Sequence, residues 1–274
     1  MSPQHYRLAY QVATAEVHTP DVTAYLGDPV AGIRLAAEIG YDGVEFMMRD
    51  ASPNDPAALA RVAEDAGIAI SMCCTGEVYG EDRISFTDPD AAIRAAAIQR
   101  ALGIVEFAAH FGVDINVGRL RGRYHDGVPR EETQSWAREA FVRVCDRAAD
   151  LGNRVLLEPL GPRGSNFLNR TDECVAYVGE IGRPAFGLML DIAHIFSCEE
   201  DLAESVRLAA PVNHYVHVTD SGRQAPGMGD VDFAAVAAAL RDTGYDGWVA
   251  VEIRQRPDSE TAMRVSLQTL RRHF

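Results

Sequence analysis

The chain has 274 residues, 47% of them hydrophobic and 24% charged. That is enough to bury a large core with an ordinary globular balance, and no apolar run approaches the roughly 20 residues that span a bilayer. A net charge of −14 opposes binding to nucleic-acid phosphates or anionic lipid, and every one of the 26 Lys+Arg residues is arginine, which excludes Schiff-base, pyridoxal-phosphate and P-loop chemistry.

Short apolar runs alternate with helical patterns along the whole chain. RLAYQV reads as a first strand, and DPVAGIRLAAEIG as a helix stopped by Gly40. DGVEFM is the second strand. Asn54 is placed to cap the helix DPAALARVAEDAG, which again ends on glycine. IAISMCC is the third strand, and the long helix of DPDAAIRAAAIQRALGIVEFAAHFG follows a polar loop. VDINVG, NRVLLEPL, the apolar centre of PAFGLMLDIAH, NHYVHVTD and DGWVAVEI supply strands four to eight. The helices between them are REETQSWAREAFVRVCDRAADLG, TDECVAYVGEIG, EEDLAESVRLAA and DVDFAAVAAALRDTG, and DSETAMRVSLQTLRRHF closes the chain.

Eight strands alternating with eight helices imply parallel β-α-β units. The repeat number and the length favour a closed (β/α)8 TIM barrel, an α/β fold, over an open doubly wound sheet, with residues 1–274 as one catalytic domain. The start MSPQHYRLAYQVATAEVH lacks the basic and apolar segments of a signal peptide. The five cysteines form no pair of C-x-x-C elements. A cytoplasmic protein without disulfides is the expectation.

Barrels of this kind carry their chemistry at the C-terminal ends of the strands. Strand two ends near Glu45 and strand three at Cys73, Cys74, Thr75 and Gly76. Strands five to eight end at Glu158, Asp191, His217 and Glu252. Adjacent strands lie about 4.8 Å apart, so these four side chains can meet. An acid at a strand end can equally be a helix cap or an arginine partner. Four in register are harder to assign to stability, because ionised groups buried together repel one another without a cation. Three carboxylates and an imidazole suit a hard divalent ion, Mn²⁺ first, with Mg²⁺ or Co²⁺ as alternatives.

The motifs SMCCTG, LEPL, LDIAH, HVTD and YDGWVAVEI give the chain a resemblance to the xylose-isomerase-like sugar isomerase/epimerase superfamily. Within it the chain resembles the ketose 3-epimerases. The intervals of 33, 26 and 35 residues from Glu158 to Asp191, His217 and Glu252 are similar to the family's ligand spacing. The resemblance implies that Asp191 and His217 ligate only, and that Glu158 and Glu252 ligate and also serve as acid and base on opposite faces of the substrate. It implies that His194, Arg223 and Cys74 contact the substrate, a small sugar or sugar derivative. It further implies a homodimer or homotetramer with no nucleic-acid or membrane partner.

The sequence departs from the family at Gly164, where 3-epimerases carry a glutamate that grips the end of the ketose. The loop GRLRGRYHDGVPR, with four arginines, is open to two readings, a solvated surface loop or a lid over an anionic substrate in which Arg121 takes part. Four other functions share the pattern: an aldose–ketose isomerase, in which one base returns the proton to the neighbouring carbon, a metal-dependent dehydratase of a keto-sugar or keto-inositol, a non-catalytic sugar-binding protein, and a DNA-repair nuclease. The nuclease would need more clustered histidines than His5, His18, His110, His125, His214 and His273 provide.

Overall fold

Aspartate and proline start the first helices and glycine stops them. Asp28 accepts a hydrogen bond from Val30 N ahead of helix α1 (Pro29–Ile39), and Gly40 leaves it at φ 106°. Asp55, one residue beyond the expected Asn54, caps α2 (Pro56–Ala66) by accepting from Ala57 N and Ala58 N. Asn54 is drawn aside because its amide donates to Glu16 and to the Asp50 carbonyl.

The structure, a computed structural model, describes residues 5–198 and 201–274. Eight parallel strands close into a barrel in chain order. They are β1 (Arg7–Ala13), β2 (Gly43–Met47), β3 (Ala69–Cys74), β4 (Ile115–Val117), β5 (Val155–Leu157), β6 (Phe186–Asp191), β7 (Asn213–Val218) and β8 (Trp248–Val251). After α1 and α2 the helices are α3 (Gly76–Asp82), α4 (Ala91–Ala109), α5 (Arg130–Leu151), α6 (Thr171–Ile181), α7 (Ile192–Ser197), α8 (Leu202–Ala209), α9 (Phe233–Asp242) and α10 (Ser259–His273). The sequence pattern gives eight helices. The two extra short ones, α3 and α7, directly follow the C-terminal ends of β3 and β6. Glu199 and Glu200, placed by the pattern at the start of the helix before β7, lie outside the described residues.

The main core lies between the strands and the helices. A second, smaller cluster fills the barrel itself: Ala9, Met72, Leu156, Met189, Tyr215 and Ala250. Strand side chains repeat with period two, so the next inward position on each strand is fixed. Two residues beyond Leu156, Met189, Tyr215 and Ala250 stand Glu158, Asp191, His217 and Glu252. An apolar layer thus forms the floor, and a polar layer sits on it. Among the described residues no helix is long and apolar enough to cross a membrane, and none of the five cysteines is joined in a disulfide.

Candidate metal centre

The four residues expected to ligate do converge. Glu158, Asp191, His217 and Glu252 each bring one ligand atom into a group whose members all lie within 4.8 Å of one another. All four are buried, the most exposed at 9%. Asp191 and His217 face each other in register across β6 and β7, while Glu158 and Glu252 lie just past β5 and β8.

Each glutamate is held by its own partners. Asn116 on β4 donates its side-chain Nδ2 to Glu158 Oε2 at 3.2 Å, and its side-chain Oδ1 accepts from Thr75 N at 2.9 Å. Gly118 leaves room for that carboxylate, since a Cβ there would collide with Glu158 Oε2. Glu252 Oε1 accepts from Thr23 Oγ1 at 3.0 Å, and Arg223 donates to Glu252 Oε2. Arg223 also places Nη2 2.8 Å from Asp191 Oδ2. Its backbone turns back toward the barrel with Gly222 and Arg223 both left-handed, at φ 69° and 61°, a conformation a non-glycine residue adopts at some strain.

His217 is fixed from below. Its Nε2 lies 3.0 and 2.8 Å from the two oxygens of Glu45, and Gln11 Nε2 donates to Glu45 Oε1 at 2.9 Å. His217 Nδ1 has no hydrogen-bond partner and is 3.6 Å from Glu252 Oε2.

Burial and then the neighbouring Glu252 charge push the Glu158 carboxyl up to about 8. Burial acts on Glu252 as well, but the Arg223 guanidinium and His217 overcome it and hold that carboxyl well below the usual range. For His217 burial disfavours the charged ring, yet the Glu45 and Glu252 carboxylates raise it well above the ordinary histidine value. His194 falls to about 4, chiefly through burial, so it is neutral at pH 7 and can accept from Arg223 Nη2 at 3.2 Å.

A divalent cation suits these groups. The buried Nδ1 has no hydrogen-bond partner and faces a cluster of three carboxylates, where it can give up its proton and offer a lone pair to a cation, and oxygen donors with one imidazole favour Mn²⁺, Mg²⁺ or Co²⁺ over thiolate-seeking ions. A pocket of about 400 Å³ opens above them. Its walls include His194, Arg223 and Cys74, together with Thr23, Arg119 and Gly164. Cys74 belongs to an apolar patch with Val22 and Met47.

Neither reading of the arginine loop holds for Arg121. This side chain is fully buried and donates to four carbonyls: Glu158 O at 2.8 Å, Leu168 O at 2.6 Å, Phe167 O at 3.0 Å and Gly118 O at 3.1 Å. It ties the loops after β4 and β5 together and cannot act as a lid. Arg119 does reach the pocket, but its guanidinium is engaged by Glu77 at 2.8 Å and Gly76 O at 2.9 Å.

Sequence reasoning located Glu45 at the end of its strand without giving it a role, and it passed over Gln11, Asn116 and Thr23. Gln11, Glu45 and Asn116 had a legible signal: each is a polar residue inside an apolar strand. Thr23 had none, being a loop residue 229 positions from the carboxylate it binds.

A family model described as xylose isomerase-like TIM barrel matches residues 33–273. A ketose 3-epimerase of Arthrobacter globiformis is 29% identical over 222 residues, covering 80% of this chain and 75% of that protein. A 3-dehydro-D-guloside 4-epimerase of Escherichia coli is 27% identical over 248 residues, covering 87% of this chain and 92% of that protein. The crystal structure of a D-allulose 3-epimerase from Methylomonas sp. in complex with D-allulose superposes with a TM-score of 0.79 at 25% identity, covering 98% of each chain.

Proposed function

We propose that this chain, which belongs to the xylose isomerase-like TIM barrel family, is a divalent-metal-dependent epimerase that moves a proton on a carbon beside a sugar carbonyl. The observation that carries the reading is the convergence of Glu158, Asp191, His217 and Glu252 within 4.8 Å at the base of one pocket. The two 3-epimerase relatives and the 4-epimerase relative support it, since all three reactions invert a sugar carbon.

All four residues would hold the cation, with Mn²⁺ favoured and Mg²⁺ or Co²⁺ as alternatives. When bound, it would act as a Lewis acid on the carbonyl oxygen and stabilise the charge that develops there. The chain's own residues do the rest. One of Glu158 and Glu252 removes the proton, and the other returns one from the opposite face, which inverts the carbon. Asn116 and Gly118 keep Glu158 in place, and Thr23 and Arg223 do the same for Glu252. His194 and Arg223 meet the substrate's oxygens, while Cys74, with Met47 and Val22, gives the sugar an apolar wall. At Gly164 a Cβ would meet its neighbours at 3.4 Å, an ordinary contact. The glycine is therefore not demanded by packing, and it leaves that side of the pocket open to a substituent on the sugar.

Elimination of water on the same scaffold would need a further acid over the pocket. Of the other carboxylates lining it, Glu77 is taken up by Arg119 and Thr19, and Asp21 faces Arg254 and Arg256. No observation favours that route over epimerisation.

The test is a panel of ketoses and keto-glycosides incubated with the Mn²⁺-loaded enzyme in deuterated water and read by NMR. One deuterium at the inverted carbon is expected. Glu158→Gln and Glu252→Gln should each lower turnover by about 10²–10⁴-fold with the fold retained. Near-normal turnover in both variants, or release of water with an absorbing enone, would defeat the proposal.

A further inference from the structure

We propose that Glu45 is a positioning residue: it fixes the ring orientation and tautomer of His217 so that Nδ1 faces the cation site, and Gln11 in turn fixes Glu45. The role rests on the metal-centre reading and extends it one layer below the ligands.

Glu45 is fully buried on β2. Among the described residues its one ion-pair partner is His217, whose Nε2 sits between both carboxylate oxygens at 3.0 and 2.8 Å. A carboxylate buried without a strong partner is highly unfavourable, and an apolar side chain would fill this position in the barrel. Packing therefore gives no reason for an acid here. The contact does something specific instead. An acceptor at Nε2 holds a proton there, so Nδ1, the ring nitrogen without a hydrogen-bond partner, is the one left to give up its proton and offer its lone pair to a cation. Turning the ring over would place carbon against the carboxylate and forfeit both contacts.

Two neighbours prevent the pair from shifting. Gln11 stands directly opposite Glu45 in the β1–β2 register and donates to its Oε1 at 2.9 Å. Tyr215 lies edge-on beneath the imidazole at 5.7 Å, and its hydroxyl is held by Ser71 Oγ at 2.7 Å. The chain from Gln11 through Glu45 to His217 Nδ1 is thus an outer layer that aims one ligand and raises its basicity.

The experiment compares Glu45→Gln with the wild type in the full chain. Mn²⁺ affinity is measured by titration calorimetry, and the ligand field by the visible spectrum of the Co²⁺-loaded protein. Glutamine keeps the shape and removes the charge. The expected result is Mn²⁺ binding weakened about 10–100-fold, a shifted Co²⁺ spectrum and an unchanged far-UV circular dichroism spectrum. Affinity within threefold of wild type and an identical Co²⁺ spectrum would overturn the role. Should Glu45→Gln fail to fold, Gln11→Leu removes only the outer tether: a smaller loss of affinity in the same direction supports the role, and no change refutes it. A wild-type chain that binds neither ion would instead bring down the metal centre, and the role of Glu45 with it.

Discussion

Replacing Arg121 with methionine separates a structural arginine from a substrate-binding one. The guanidinium donates four hydrogen bonds to the carbonyls of Gly118, Glu158, Phe167 and Leu168. Hydrogen bonds from a charged donor are worth about 1.5–3 kcal/mol each, so simple addition gives roughly 6–12 kcal/mol. Methionine fills the space, and relaxation of the loops lets water reach some of the carbonyls. A net loss of about 3–5 kcal/mol is the more realistic figure. At roughly 2–4 °C per kcal/mol for a chain of this size, the melting temperature should fall by about 10 °C. Because Arg121 Nη1 also holds the Glu158 carbonyl, turnover should fall on every substrate by a similar factor. The assay is thermal unfolding followed by circular dichroism, paired with kcat/KM on a neutral sugar and its phosphate. An unchanged melting temperature with a loss confined to the phosphorylated substrate would refute the reasoning and restore the lid.

Two further outcomes follow from the site. In Gly118→Ala the new Cβ would collide with Glu158 Oε2, and displacing a reacting group by about 1 Å can lower turnover 10²-fold; wild-type kcat in this variant would show that the carboxylate has room the structure denies it. The second concerns pH. Without a cation, burial and the Glu252 charge keep a proton on Glu158 below about 8, and the Glu45 and Glu252 carboxylates favour the charged ring of His217. A cation must displace these protons, so Mn²⁺ affinity should rise between pH 6 and 8. Calorimetry in buffers of different ionisation heat should find between one and two protons released per ion at pH 7. Binding without proton release would contradict the charge states described.

The barrel was legible because its signals are local. Glycine stops and alternating apolar and helical runs recur over short distances, so the strand ends at Glu158, Asp191, His217 and Glu252 could be located without knowledge of the fold, whereas the cap read at Asn54 falls on Asp55. The helices α3 and α7 escaped because each is a single short segment grown out of a strand end, with no amphipathic repeat to mark it. Arg121 was misread for a different reason. Its neighbours Arg119 and Arg123 make the loop look like a solvated basic segment, and nothing local shows that carbonyls 37 to 47 residues away will enclose one of the three. Glu45 was placed at its strand end and Asn116 was passed over, although both are polar residues in apolar strands; their partners, 172 and 42 residues distant, are set by closure of the barrel alone.

The most direct measurement is an anomalous difference map from a crystal of the wild-type chain soaked with Mn²⁺. One strong peak is predicted, within bonding distance of Glu158, Asp191, Glu252 and the Nδ1 atom of His217. A map with no peak among these four side chains, or with the ion seated elsewhere on the barrel, would contradict the account at its root.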